Sequence, residues 1–230
     1  MLCAMRKDCK KQNIYRIKLL NNPVAPVKAD NNTSDAAKCS PSTAGGLDNT
    51  TILAVGAQMI LTTNIWKEAG LTNGTMCTVR QIIYSSGKTP PQIPDIVFVH
   101  VPEYKGPSYF TSESNIVPIT PIRRQWHKKN KLCIRVMIPL QPAYAMTIHK
   151  SQGMSLDRII ANLGDREFSN GLTYTALSRC RKISNLALSP FPEWTRFRNM
   201  FRSKAFKKRK EEDEKAQVRE EQTIAKGRLG

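Results

Sequence analysis

Acidic residues, aromatic side chains and long apolar runs are all scarce in this chain of 230 residues. Asp and Glu number 18 against 36 Lys and Arg, which leaves a formal net charge of +18 at pH 7. An excess of that size points to polyanionic partners, either nucleic acid or an anionic membrane surface. No apolar run approaches the roughly 18 residues of a membrane span, so none is expected. The apolar part of MLCAMRKDCKKQ is too short for a signal peptide, and triplets such as Asn73-Gly74-Thr75 therefore carry no expectation of glycosylation. The six cysteines (Cys3, Cys9, Cys39, Cys77, Cys133 and Cys180) show neither CxxC spacing nor a nearby histidine pair. That excludes a recognisable zinc site or disulfide framework and suggests reduced thiols in an intracellular protein. The hydrophobic share of 40% is low for a globular chain but well above that of a fully disordered one.

A phosphate-binding loop is also missing. Gly87-Lys88-Thr89 looks like the end of a Walker A pattern, yet the position five residues before Gly87 is Ile82 rather than glycine. Pro90 and Pro91 follow, where a helix should begin and aim its N–H groups at the phosphates. A hairpin turn fits this segment better. No other GxxxxGK[ST] occurs, and nothing reads as the acidic strand end that would hold Mg²⁺.

What is present falls into regions. Residues 12–20 suggest a short amphipathic helix. Residues 21–49 are rich in Asn, Asp, Ser, Pro and Gly and are expected to form a long loop or flexible link. Two short strands, or one bent strand, are expected over 51–55 and 58–63, broken at Gly56. Further strands are expected over 75–84, 95–101, 115–119 and 131–140, a spacing that suggests a small β-barrel. Beyond it the pattern alternates: helix over 143–152, strand over 158–163, helix over 171–181, strand over 185–188. Such alternation implies a parallel α/β sheet, with the all-β segment inserted into it. The tail from 196 onward is half charged and expected to be a fraying, solvated helix. Its run Phe206-Lys207-Lys208-Arg209-Lys210 is either such a face or a nuclear-localisation or nucleic-acid patch.

The densest chemistry lies in AYAMTIHKSQGMSL, residues 143–156. Ala143, Met146, Thr147 and Lys150 fall at i, i+3, i+4 and i+7, and His149 and Ser151 would occupy the other face of such a helix. Gly153 would end the helix and let backbone N–H groups approach an anion. Taken alone, the segment serves equally as a capped surface helix. The run from Pro121 to Lys150 holds seven Lys or Arg and no acid, which suits phosphate contact and equally a solvated basic face. Trp126 and Tyr109 are available either for base stacking or for barrel packing.

Three blocks occur in order: AVGAQMILTTNIW leading to GLTNGT (54–66 and 70–75), TIHKSQG (147–153) and GLTYTALSR (171–179). Together they resemble the C-terminal half of the Pif-one/RecD-like ATP-dependent DNA helicases of superfamily one B, over roughly residues 12–192. The resemblance implies an α/β fold: a second RecA-like domain with a parallel sheet, carrying an inserted small SH3-like β-barrel. The boundaries it suggests are a truncated N-terminal piece and flexible link at 1–50, the RecA-like domain at 51–75 and 141–192, the barrel at 76–140 and a charged tail at 193–230. TIHKSQG corresponds to helicase motif V and YTALSR to motif VI. Thr147, His149 and Lys150 are thereby implied to contact the phosphates of single-stranded DNA. Gln152, Gly153 and Ser155 are placed near the nucleotide, and Arg179 matches the arginine finger. A rigid guanidinium fork stabilises phosphoryl-transfer charge better than an ammonium does. Arg181 competes for that role, but two residues along a helix it would point about 200° away.

ATP and Mg²⁺ are implied only together with a first RecA-like domain, whose Walker A lysine and Mg²⁺-binding carboxylate this sequence does not contain. The family's motif IV would lie at or before residue 12. Asn162 stands where the family has Asp, and Pro142 and Tyr144 depart from its LAWA run. The chain is therefore expected to be a C-terminal portion of such a helicase, inactive alone. The alternative is a non-catalytic DNA-binding module derived from one. Single-stranded DNA is the expected partner, no membrane association is expected, and the compartment is expected to be nucleus or mitochondrion.

Overall fold

The computed structural model of the protein describes residues 1–109, 113–165, 171–202 and 204–227. The last three residues of the expected tail, 228–230, lie outside them. The chain divides into two compact units, one made of residues 1–9 and 146–230 and the other of residues 10–145.

The first unit is built on a four-stranded sheet in which every pairing is parallel. Leu2–Cys3 lies between Met146–Thr147 and Ile159–Asn162, and Leu186–Leu188 flanks the latter. Sheets of this kind are buried and apolar. Leu2, Ile159, Ala161 and Leu163 accordingly form its core with Ala4, Ile148, Leu172 and Ala176. The expected strands over 158–163 and 185–188 are present. The helix expected over 171–181 is shorter, Leu172–Leu177, and starts after Gly171 at φ 76°. The tail forms helices Trp194–Arg202 and Lys204–Gly227, and the described side chains of the second are exposed along its length. No helix among the described residues is long and apolar enough to cross a membrane.

The second unit is strand-rich. Leu140–Pro142, Gln58–Leu61, Met76–Ile83, Ile96–His100 and Ile116–Ile119 form an antiparallel sheet in that order. Ile122–Lys128 and Lys131–Met137 form a hairpin that also pairs with Asp30–Asn31. Gly56 at φ 81° separates Thr50–Leu53 from Gln58–Leu61, as the two-strand expectation requires. The Gly87-Lys88-Thr89 segment is a hairpin connection. Lys88 Nζ lies 2.5 Å from the Asp95 carboxylate and, with the Ser85 backbone N–H, holds that carboxyl down at about 2.

Residues 21–49, expected as a long loop or flexible link, contain short regular elements. Ala25–Lys28 pairs with Thr50–Leu53, and Thr33 caps the short helix Ser34–Ala37 by accepting from Ala36 N at 3.1 Å. The N-terminal helix is longer than expected, running over Arg6–Lys18. All six cysteines are free thiols.

Candidate functional site

The helix expected over 143–152 does not form. Ala143 N donates to Gln58 O at 3.0 Å, and Ala145 N donates to the Asn13 side chain at 2.7 Å, so the segment enters in extended form. Met146–Thr147 is the edge strand of the parallel sheet, and only Ile148–Ser151 coils, as one 3₁₀ turn. Thr147 is its N-cap, with its hydroxyl accepting from Lys150 N at 3.4 Å. Ile148 and Ser151, three apart, are the buried pair, which matches the three-residue period of this helix type. Ser151 therefore does not share an outer face with His149. Its Oγ donates inward to Ile148 O at 2.7 Å.

His149 and Lys150 are left exposed beside half-buried Thr147. Thr147 and His149 also line a cleft of about 650 Å³ with Ala4, Met5, Arg6, Gly164 and Asp165. This cleft opens at the carboxyl ends of the parallel strands Leu2–Cys3, Met146–Thr147 and Ile159–Asn162, where open α/β sheets take their ligands. Arg6, at the start of the helix Arg6–Lys18, had no sequence signal as a cleft residue, because the strand before it, Leu2–Cys3, is too short to show periodicity.

Gln152, Gly153 and Ser155 follow on an exposed turn. Gly153 stands at φ 82°, and a Cβ built there would meet nothing within 4 Å, so its backbone is open to a ligand. Arg179 lies beside this turn. Its Nη1 donates to Met154 O at 3.3 Å, Nε to Thr175 O at 3.1 Å and Nη2 to Ser178 Oγ at 3.1 Å. Its own carbonyl accepts from Leu156 N at 2.9 Å, and Leu156 bridges Cys180 in parallel fashion. The helix ends at Leu177 with Ser178 as its C-cap, so both Arg179 and Arg181 lie beyond it. Helical angles therefore do not separate the two arginines. What separates them is that Arg179 is half-buried and bonded to the turn, whereas Arg181 is exposed. The structure thus joins Arg179 to the Gly153 turn and places Thr147 and His149 at the cleft. Lys150 is not among the cleft's lining residues.

Trp126 is half-buried with the Arg135 guanidinium 5.7 Å from its ring centroid. Tyr109 packs on Phe98 at 5.0 Å between ring centroids. Among the described residues no group of three or more His, Cys, Asp or Glu is arranged to hold a metal ion.

No family profile matches the chain. It is 32% identical over 162 residues to the ATP-dependent DNA helicase PIF7 of Trypanosoma brucei brucei, a match covering 63% of this chain and 16% of that protein. It is 33% identical over 140 residues to the human ATP-dependent DNA helicase PIF1, covering 60% of this chain and 19% of that one. The chain thus spans less than a fifth of these two relatives. Among solved structures, it superposes with a TM-score of 0.61 and 21% identity on a Pif1 helicase studied in DNA unwinding at forked duplex DNA, over 90% of this chain and 44% of that one. Bacteroides Pif1 bound to single-stranded DNA gives 0.57 and 20%, over 87% and 44%. These superpositions and the parallel sheet show a RecA-like helicase fold. By these matches the chain is a relative of the Pif1-like DNA helicases of superfamily 1B.

Proposed function

We propose that this chain is one half of a helicase motor, gripping single-stranded DNA by its backbone and lending an arginine to a nucleotide held by another RecA-like domain. Thr147, His149 and Lys150 supply a hydroxyl, an imidazole and an ammonium, a set that positions phosphates without reading bases. Gln152, Gly153 and Ser155 face the nucleotide, and Arg179 meets its γ-phosphate. ATP, with Mg²⁺ held by the other domain, supplies the phosphoryl group. The observation that carries this reading is the bonding of Arg179 to the turn, through Leu156 N to Arg179 O at 2.9 Å and Arg179 Nη1 to Met154 O at 3.3 Å. A displacement of Arg179 is thereby transmitted to the segment that begins three residues after Lys150. Residues 76–140, within the strand-rich unit, are read as the inserted SH3-like barrel, and the nucleus or mitochondrion as the site of action.

A second reading, a DNA-binding module that no longer takes part in catalysis, is favoured by one feature. All three Arg179 nitrogens donate to acceptors in their own unit, leaving the guanidinium engaged rather than presented. A DNA-stimulated ATPase assay separates the two. The chain alone is expected to show no turnover above Arg179→Ala. Mixed with a first RecA-like domain from a Pif1 relative, it is expected to hydrolyse ATP, and Arg179→Ala to lose about 10³-fold or more of that rate. Turnover by the chain alone overturns the first reading. A silent mixture combined with salt-sensitive DNA binding establishes the second, and salt-insensitive binding sinks both.

A further inference from the structure

The hairpin of Ile122–Lys128 and Lys131–Met137 goes against local preference at several points, and each of them is a cation. Its turn has two residues, both at positive φ: Lys129 at 46° and Asn130 at 60°. Two-residue turns of this hand favour asparagine and glycine, and lysine adopts the left-handed region poorly. Immediately beside the turn Lys128 stands directly opposite Lys131, a like-charge pair that weakens a ladder. Ile122–Lys128 is also an edge strand, paired on one side only, and it exposes Arg123 and Arg124.

Among the described residues no ion pair offsets this charge. Residues 121–150 contain no Asp or Glu. Among the described residues, the ion pairs include none of Arg123, Arg124, Lys128, Lys129 and Lys131. In the five-stranded sheet and its connections, by contrast, Arg80 pairs with Glu113 at 2.7 Å and Lys88 with Asp95 at 2.5 Å. Unfavourable local choices gathered at one place mark a functional site rather than a structural need. The exposed side chains of the hairpin are polar apart from Leu132. Insertion into a lipid surface needs an apolar face beside the cations, so a nucleic-acid backbone is the better fit.

We propose that the tip of this hairpin is a second nucleic-acid backbone site, distinct from Thr147, His149 and Lys150, with Lys128, Lys129 and Lys131 holding phosphates. It goes beyond the contacts assigned above and rests on the same reading, that the ligand is DNA. The test uses the full chain and the anisotropy of labelled oligo-dT and of a labelled duplex, titrated between 50 and 200 mM salt. For oligo-dT, the triple variant Lys128→Gln, Lys129→Gln, Lys131→Gln is expected to reduce the log–log salt slope by about 2, at roughly 0.7 per phosphate contact. Lys129→Gly alone is expected to reduce it by about 0.7 without lowering the melting temperature, because glycine accepts positive φ. A merely structural lysine would not produce that combination.

If the wild type binds and neither variant changes the slope on either DNA, this second site is excluded while the first reading stands. If Lys129→Gly lowers the melting temperature along with affinity, the lysine is structural and the proposal fails. Wild-type binding to anionic vesicles that drops equally in the triple variant assigns the charge to lipid and also overturns it. Absence of wild-type binding to both DNAs removes this site and the underlying reading together.

Discussion

Arg135 is the residue on which the second unit's least regular segment depends. Its side chain is fully buried, and its guanidinium bonds chiefly to carbonyl oxygens. It donates to Asn31 Oδ1 at 2.9 Å, Leu47 O at 2.7 Å, Ala36 O at 2.6 Å and Cys39 O at 3.1 Å. These acceptors are spread over residues 31–47, so one guanidinium satisfies backbone groups that have no ladder of their own. A planar fork with five donors can do this, whereas an ammonium on a flexible stem meets fewer of them. Arg135→Met preserves apolar volume but takes the guanidinium away from Leu47 O, Cys39 O and Asn31 Oδ1, while Ala36 O keeps Cys39 N; each acceptor left unpaired is worth about 1–3 kcal/mol. A loss of about 3 kcal/mol or more in urea unfolding is expected, and Arg135→Lys is expected to recover only a minor part. A loss below 1 kcal/mol for Arg135→Met would mean that water replaces the guanidinium freely.

At the scale of elements, the 148–153 turn shows what the sequence could and could not reveal. Gly153 takes φ 82° in open space, so Gly153→Ala meets no clash and costs only the left-handed conformation, about 1 kcal/mol. Gly153→Asn is expected to cost less, and urea unfolding of both variants measures the difference. A loss above 3 kcal/mol would place an unseen constraint on the turn. That a glycine stop follows TIHKSQ was legible from residue type alone. The helix expected before it was not, because the i, i+3, i+4, i+7 spacing of Ala143, Met146, Thr147 and Lys150 arises from an extended entry followed by one 3₁₀ turn. Strands with apolar alternation or continuous apolar runs, such as Ile96–His100 and Ile159–Asn162, were legible. Ile122–Lys128, with the sequence IRRQWHK, was not, since an exposed edge strand needs no apolar face. Residues 21–49 looked like a loop or flexible link because their short elements are held by distant partners. Asn32, for example, accepts from Ile134 N at 2.8 Å and donates to Leu132 O at 2.9 Å, and no local propensity encodes such pairs. The Arg179 segment was legible only through its resemblance to a known motif, since its tie to Leu156 spans 23 residues of sequence.

At the scale of the whole molecule, the two units have separate apolar cores of unequal size. Among the described residues, 21 buried side chains form the core of residues 10–145 and eight form the core of the parallel-sheet unit. With about 1.5–3 kcal/mol from each large apolar side chain buried, the smaller core has the thinner margin. It also depends on the first residues of the chain, because Leu2–Cys3 is bonded on both edges, to Met146–Thr147 and to Ile159–Asn162. Removing residues 1–5 deletes Leu2 and Ala4 from that core and leaves both neighbouring strands with unpaired backbone groups, a cost the eight-residue core cannot offset. The full chain is therefore expected to unfold in urea in two steps, with the parallel-sheet unit first, and the truncated chain is expected to show only the second. Amide hydrogen exchange locates the effect. Protection should vanish over Ile159–Asn162 and Leu186–Leu188 in the truncated chain and persist over Met76–Ile83 and Ile96–His100. A single transition shared by all four strands would show that the two cores fold as one cooperative unit. Because the proposed DNA contacts Thr147, His149 and Lys150 all belong to the smaller unit, the same truncation should abolish their contribution to the salt dependence of DNA binding. The contribution of the hairpin at 122–137 should survive, so one deletion separates the two surfaces by the core each depends on.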